Sequence, residues 1–97
     1  WVMSHLSHVY DTGGSLYVTV VAARDATDPV GQWQAAKAAA CEAIVAQGAT
    51  ITHHHAVGRD HAPYLAAEIG ENGVELLRAI KTYLDPDDTL NPGALLR

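Results

Sequence analysis

The segment between Asp28 and Gly48 constrains the fold more than any other part of the sequence. Asp28-Pro29 places an acid at a helix N-cap before a proline at the first helical position, and Gly48 is the residue type expected just after a helix C-terminus. The alanine-rich residues between them predict a helix over residues 29–47. An apolar stripe at three- and four-residue spacing is expected to lie on a sheet, and its members are Trp33, Ala36, Ala40 and Ile44.

A β-hairpin is predicted before this helix. β-Branched and aromatic residues are dense in residues 2–10 and 15–23, and Asp11-Thr12-Gly13-Gly14 between them has turn chemistry. Alternation along the second strand places Tyr17 on the face opposite its more uniformly apolar row.

The residues after the helix predict a short strand and two more helices. Residues 49–52 read as a strand, which would complete a strand–helix–strand unit, and helices are expected over residues 62–69, closed at Gly70, and over residues 72–84. The last helix carries one apolar face, made of Val74, Leu77, Ile80 and Leu84. Residues 85–93 are turn-forming throughout and predict no regular element. The predicted class is α+β, an antiparallel sheet with helices packed on one face.

Composition narrows the classes of function. Eleven acidic and six basic side chains among 97 residues give a formal charge of −5, without a basic stripe, so nucleic acid is not an expected partner. No apolar run approaches the ~18 residues that a membrane span requires. The single cysteine, Cys41, is expected to be a buried structural thiol in a reducing compartment. Because Trp1 already begins a strand-like stretch, we expect the chain to be part of a longer protein.

Three consecutive histidines, His53, His54 and His55, are the main chemical feature. Imidazoles titrate near neutrality, so a cluster can share protons, polarise a carbonyl or hold a metal. Burying each ring without a hydrogen bond would cost roughly 1–3 kcal/mol, which favours a polar cavity.

A metal site is a weaker interpretation of these histidines. Adjacent residues seldom converge on one ion, so remote ligands would have to come from His5, His8 or His61. Taken singly, each of these three is more simply a structural histidine. Tyr17 taken alone is likewise an ordinary strand residue, and its phenol becomes a useful acid or base only beside an imidazole or a charge.

Three segments together resemble a known family. They are Ser7-His8-Val9-Tyr10-Asp11-Thr12-Gly13 with Tyr17, the triple histidine followed by Val57-Gly58, and Asp85-Pro86 through Leu90-Asn91-Pro92-Gly93. Over essentially its whole length the chain is similar to the C-terminal end of the alkyldihydroxyacetonephosphate synthases, FAD-linked oxidases of the vanillyl-alcohol oxidase superfamily. The terminal pattern is typical of that superfamily in general, whereas the triple histidine with the tyrosine points to the synthase branch.

The resemblance implies an enzyme built around FAD, which an N-terminal domain outside this chain would bind. Residues 1–84 would be the end of the cap domain and residues 85–97 a tail returning toward the flavin, so the chain alone would be inactive. Enzymes of this family exchange the acyl chain of acyl-dihydroxyacetone phosphate for a fatty alcohol, and the flavin traps the dihydroxyacetone phosphate carbon. The implied partners are the FAD domain, a lipid-like substrate and a second copy in a homodimer. The implied location is the cytoplasm or a membrane surface, or the peroxisome in a eukaryote.

The resemblance also implies roles for individual residues. Tyr17 would be the acid/base for the substrate carbon, His54 its partner, and His53 and His55 orienting groups. Asn91 would contact the cofactor, and no metal is implied. The family's phosphate-binding arginine is expected before Trp1, and its role is not transferred to the two arginines near the motifs, Arg24 and Arg59.

Two departures from the family pattern stand out. Ala56 replaces the glycine that usually follows the third histidine, and it would be strained if the backbone there needed a positive φ. Arg59-Asp60-His61 also differs from the lysine common in the animal enzymes, which bears on substrate details.

Two other functions stay open at this stage. One is a FAD-linked D-2-hydroxyacid dehydrogenase, which shares the fold but transfers hydride to an electron acceptor. The other is a small non-enzymatic domain whose histidines bind a metal or another ligand.

Overall fold

The computed structural model describes residues 1–52 and 55–96. The chain divides into two compact units, the first within residues 1–36 and the second within residues 37–97. The elements, in chain order, are β1 (Val2–Tyr10), β2 (Gly13–Val20), α1 (Pro29–Ala46), α2 (Gly58–His61), a 3₁₀ turn (Ala62–Tyr64) and α3 (Leu65–Leu84). A two-stranded antiparallel sheet together with helices confirms the predicted α+β class. In the described part of the chain, no helix has both the length and the apolar character needed to cross a membrane.

The hairpin has a tighter turn than its sequence suggested. Asp11 and Thr12 form the turn, while Gly13 and Gly14 already belong to β2, which ends at Val20 rather than at residue 23. A β-bulge lies between Ser7 and Val9, where the backbone of His8 has a φ of 47°. The bulge leaves one residue of β1 without an opposite residue on β2.

Both faces of the hairpin carry exposed apolar side chains. Their exposed fractions are between 40% and 73%, and the members are Val2, Met3, Leu6, Val9, Tyr10, Leu16, Tyr17, Val18 and Val20. A two-stranded sheet cannot bury such side chains by itself, since it has no second layer to cover either face.

Helix α1 begins and ends as its sequence predicted. The Asp28 carboxylate accepts the backbone N–H of Gly31 at 2.9 Å, which is N-cap geometry. At the other end, Ala49 N–H donates to the Ile44 carbonyl at 3.1 Å and Gly48 N–H to the Val45 carbonyl at 2.9 Å. Gly48 has a φ of 67°, so the helix ends in a Schellman motif that favours glycine at this position.

The buried side of α1 differs from the predicted stripe. Trp33 is 53% exposed and Ile44 is 36% exposed, whereas Cys41 is buried, as expected for a structural thiol. The Tyr64 hydroxyl reaches the Ala38 carbonyl at 3.5 Å on that same buried side. Successive helical residues are rotated by roughly 100° about the helix axis. The buried side of α1, which is centred on Cys41 and not on Ala40, is therefore rotated away from the predicted stripe.

Residues 49–52 form no strand, so the predicted strand and the strand–helix–strand unit are wrong. The backbone N–H of Ile51 donates to the Glu68 side chain instead of to a neighbouring strand. β-Branched residues favour a strand here, but a strand forms only when its backbone groups bond to a neighbouring strand. Here the Glu68 carboxylate accepts the backbone N–H instead.

Both helices predicted after residue 57 are present, but the first begins as a 3₁₀ turn, and the short helix α2 before it was not predicted. Gly70 has non-helical backbone angles, with φ 74° and ψ 161°, and therefore divides α3 into the two segments that were predicted. The first segment is preceded by α2 and the 3₁₀ turn. Leu65 and Val74 are buried, while Ile80 and Leu84 are 47% and 70% exposed, so only part of the predicted apolar face is covered.

The tail after α3 is irregular, as predicted, but it is organised by one side chain. The buried Asp85 carboxylate accepts the backbone N–H and the hydroxyl of Thr89 and the backbone N–H of Leu90, each at 2.9 Å. Lys81 from the last turn of α3 also donates to it. These bonds hold residues 85–90 in a turn at the end of the helix.

Candidate functional site

Tyr17 lies in the middle of β2 and is 40% exposed. Its opposite residue on β1 is His5, and the two ring centroids are 6.4 Å apart with their planes inclined at 51°. Directly opposite residues of an antiparallel pair share a face of the sheet. His5 is therefore the imidazole that the first unit presents beside the predicted catalytic phenol.

The bulge at His8 creates this pairing. Near the turn, Tyr10 pairs with Gly13 and Val9 with Gly14. If that register continued unbroken, His5 would lie opposite Val18, and its ring would be on the other face from Tyr17. The extra residue in β1 shifts the register by one, and His5 comes opposite Tyr17 instead.

Sequence reasoning missed the pairing of His5 with Tyr17, because it missed the bulge in β1. The residue with the positive φ is His8. Because it is not a glycine, its residue type does not predict a bulge. Without the bulge, the alternation of side chains would place His5 on the face of the hairpin opposite Tyr17.

The three histidines lie in the second unit, and the structure describes only one of them. His53 and His54 lie outside the described residues, so their predicted roles remain predictions. His55 is described and is exposed. Tyr17 belongs to the first unit, and the predicted partnership between Tyr17 and His54 likewise remains a prediction.

The histidine segment, residues 52–56, is joined at its two ends. The Thr52 hydroxyl donates to the Ala56 carbonyl at 3.2 Å. Just before the segment, the Thr50 hydroxyl and the Ile51 backbone N–H donate to the two carboxylate oxygens of Glu68, at 2.8 Å and 2.5 Å. Ile51 is buried, so the chain entering the segment is fixed by both packing and hydrogen bonds.

Ala56 has a φ of 75°, a left-handed conformation. A non-glycine residue pays roughly 1–2 kcal/mol there, because its Cβ approaches the carbonyl oxygen. The position therefore does require a positive φ, and the alanine is strained. Such strain persists only where neighbouring contacts hold the backbone, and the hydrogen bond from Thr52 is one of them.

Helix α2 follows the histidine segment and connects it to the tail. The Arg59 guanidinium donates to the Pro92 carbonyl at 3.4 Å. Burial lowers the pKa of the His61 imidazole, the positive charge of Lys37 lowers it further, and Asp60 opposes the shift. The His61 Nδ1 atom is buried without a hydrogen-bond partner among the described residues. The neutral form of the His61 imidazole is therefore favoured in the folded chain.

Asn91, the predicted cofactor contact, lies on the tail that Asp85 organises. Its side chain is exposed, and its backbone has a φ of 50°. The hydrogen bond from Lys81 holds the pKa of the Asp85 carboxyl well below its usual range, and the Leu90 and Thr89 donors add to the shift. Within the described residues, no group of histidine, cysteine, aspartate or glutamate side chains could hold a metal ion.

Comparison with known proteins identifies the family. The family model described as FAD linked oxidases, C-terminal domain, matches residues 1–95. The chain belongs to the FAD-linked oxidases. The enzyme prediction is thereby supported at the level of the family, and the expected relationship to alkyldihydroxyacetonephosphate synthases is confirmed.

Individual relatives of this FAD-linked oxidase domain carry different names. The chain is 29% identical over 96 residues to an alkyldihydroxyacetonephosphate synthase of Dictyostelium discoideum, and 31% identical over 96 residues to that of Trypanosoma brucei brucei. These alignments cover 99% of the chain and 16% of each relative. A glycolate oxidase subunit GlcD of Bacillus subtilis is 33% identical over 82 residues, 84% of the chain and 17% of the relative. No solved structure matches the chain.

Proposed function

We propose that the chain is the C-terminal part of a FAD-dependent enzyme that exchanges the acyl chain of acyl-dihydroxyacetone phosphate for a fatty alcohol, in the synthesis of ether lipids. The observation that carries the proposal is the similarity to two alkyldihydroxyacetonephosphate synthases, in alignments that cover 99% of the chain, combined with the triple histidine. The chain spans 16% of the length of these relatives, so catalysis needs the remainder of the protein.

In this proposal Tyr17 exchanges a proton with the substrate carbon, and His54 is its partner. The half-exposed phenol of Tyr17 supports an acid/base role, since a catalytic proton must be exchanged with a bound molecule. His53 and His55 orient the reacting groups and bind the leaving carboxylate. The exposure of His55 and the fixed ends of the histidine segment support this role.

FAD fits the few groups that this chain would offer it. Asn91 presents an exposed amide on a turn held by Asp85, which suits a hydrogen bond to a polar edge of the cofactor. When bound, FAD supplies the centre that traps the dihydroxyacetone phosphate carbon. The residues of this chain then contribute proton transfer, orientation and exclusion of water.

The proposed partners are the N-terminal FAD-binding domain, a lipid-like substrate and a second copy in a homodimer. The apolar side chains exposed on both faces of the hairpin support the first of these, because extended exposed apolar surfaces mark interaction sites. The proposed location is the cytoplasm or a membrane surface, or the peroxisome in a eukaryote.

A second candidate function is oxidation of a D-2-hydroxyacid by hydride transfer to the flavin. The similarity to the glycolate oxidase subunit supports it, at 33% identity over 84% of the chain. This reaction needs an electron acceptor, whereas acyl exchange has no net redox change. Family membership favours both enzymes over a non-enzymatic binding domain.

The test uses the full-length flavoprotein with acyl-dihydroxyacetone phosphate and a labelled long-chain alcohol, without an electron acceptor. We expect ether product from the wild type, and a loss of at least about 100-fold in kcat in Tyr17→Phe and His54→Ala, the scale typical of general acid/base groups. Tyr83→Phe is the matched control, because Tyr83 is 84% exposed on α3. Flavin bleaching by a D-2-hydroxyacid without ether product would support the second candidate, and absence of flavin would refute both.

A further inference from the structure

We propose that His5 is a positioning residue for Tyr17, and this inference rests on the function proposed above. The two side chains form one cross-strand pair of the hairpin, within the first unit. In this role the His5 ring holds the phenol of Tyr17 in the orientation that proton transfer needs. It acts through Tyr17 and not by contact with the substrate.

The register of the hairpin separates its side chains into two unlike faces. One face is aliphatic except for Ser4, and its opposite pairs are Val2–Val20, Ser4–Val18 and Leu6–Leu16. The other face carries most of the polar side chains, in the opposite pairs Met3–Thr19, His5–Tyr17 and Ser7–Ser15. Because the bulge at His8 sets this register, it places both rings on the polar face, where a polar reacting group can be bound without contact with the aliphatic side chains.

His5 is the neighbour best placed to orient the Tyr17 ring. Directly opposite residues of an antiparallel pair have Cβ atoms roughly 4.5–5.5 Å apart, closer than any diagonal neighbour. The neighbours of Tyr17 along its own strand on this face are Ser15 and Thr19, which are small. Among the six residues of the three polar-face pairs, His5 carries the one ring besides that of Tyr17.

The two rings have the geometry of an aromatic contact. Their centroids are 6.4 Å apart and their planes are inclined at 51°. Aromatic pairs prefer such tilted arrangements, with centroids roughly 4.5–7 Å apart. A tyrosine side chain chooses among three staggered χ1 wells, and a ring on the opposite strand restricts that choice. A phenol that loses this restriction can be displaced, and displacements of the order of 1 Å at a catalytic group can cost about 100-fold in rate.

The test compares His5→Val with His5→Phe in the full-length flavoprotein. Valine removes the ring but keeps a β-branched side chain that suits a strand, whereas phenylalanine keeps a ring without the imidazole nitrogens. We expect His5→Val to lower kcat roughly 10- to 100-fold with KM changed by less than about 3-fold, and His5→Phe to retain kcat within about 5-fold. Ser4→Val is the matched control, because Ser4 is adjacent in β1 and its side chain is on the other face.

A second readout does not depend on turnover. Tetranitromethane nitrates accessible tyrosine rings, and mass spectrometry that localises the modification to Tyr17 gives the nitration rate. We expect this rate to rise in His5→Val, because the ring that covers one side of the phenol is removed, and to stay at the wild-type value in His5→Phe and Ser4→Val. If the wild type makes no ether product while nitration responds in this way, His5 still positions Tyr17 and the proposed function fails.

Three results would overturn the positioning role. The first is a wild-type kcat in His5→Val when the wild type is active, and the second is a wild-type nitration rate in His5→Val. The third is a loss of kcat that His5→Phe does not restore, since the imidazole nitrogens would then be required instead of the ring. If His5→Val does not fold, His5→Gln replaces it in each comparison, because glutamine also lacks a ring, and the same loss of kcat and rise in nitration are expected.

Discussion

At the scale of single residues, Ala56 is the position where sequence and backbone conflict. Its φ of 75° costs an alanine roughly 1–2 kcal/mol, whereas glycine adopts it freely. Glycine also increases the entropy of the unfolded chain, a loss of about 0.4–1 kcal/mol. We therefore expect Ala56→Gly to raise the free energy of unfolding by up to about 1.6 kcal/mol in urea titrations, the difference between these two effects.

The control for this prediction is Ala49→Gly, at an alanine outside a helix in the same unit whose φ is not positive. Here only the unfolded-state entropy acts, so we expect destabilisation by about 0.4–1 kcal/mol. If both substitutions lowered stability equally, Ala56 would not be strained.

At the candidate site, the sequence shows which residue types are present but not the backbone conformation or the neighbours that surround them. Replacement of glycine by Ala56 was visible as a departure from the family, but only the structure shows that the position has a positive φ. The pairing of His5 with Tyr17 could not be predicted, because the bulge at His8, three residues further along β1, decides it. Residue type is local information, whereas register depends on the whole hairpin.

At the scale of elements, the start of α1 is held by hydrogen bonds of the Asp28 and Gln32 side chains. Asp28 accepts the Gly31 N–H at 2.9 Å, and Gln32 bonds to the Ala23 carbonyl and to the Asp25 N–H, each at 2.9 Å. We expect Asp28→Ala to lower the free energy of unfolding by about 1 kcal/mol, since the cap oxygen is lost, and Asp28→Asn to stay within a few tenths of that of the wild type. Urea unfolding followed by circular dichroism measures both; equal losses in the two variants would show that charge, not the cap bond, stabilises this end.

Elements with local signals were predicted well, and elements that need a distant partner were not. The caps at Asp28 and Gly48 lie within a few residues of the backbone groups they satisfy, so α1 was predicted to within one residue. The strand over residues 49–52 was wrong because its backbone donor binds Glu68, 17 positions further along the chain. Amino-acid composition does not indicate whether a strand-like segment will pair with a neighbouring strand.

At the scale of the whole molecule, ionisable groups in both units make the folded state less stable as the pH falls. The Thr27 side-chain and backbone donors lower the pKa of Asp25 in the first unit, and the Lys81 hydrogen bond lowers that of Asp85 in the second. A carboxyl whose folded pKa is lowered stabilises the fold above its unfolded pKa, and this contribution is lost as the pH falls through the folded pKa. His61 acts in the same direction in a higher window, because its neutral form is favoured in the folded state.

The second unit should therefore lose stability in two steps as the pH falls. The first step begins near pH 6.5, the ordinary pKa of His61, because the unfolded chain takes up a proton that the folded chain resists. The second begins below the ordinary pKa of 3.8 of Asp85. We expect urea titrations to show the first step missing in His61→Gln and the second reduced in Asp85→Asn, with both retained in Asp87→Asn, an exposed neighbour of Asp85 on the same turn. A wild-type stability that rose on acidification through either window would contradict the assigned directions, since both groups bind protons more weakly when folded.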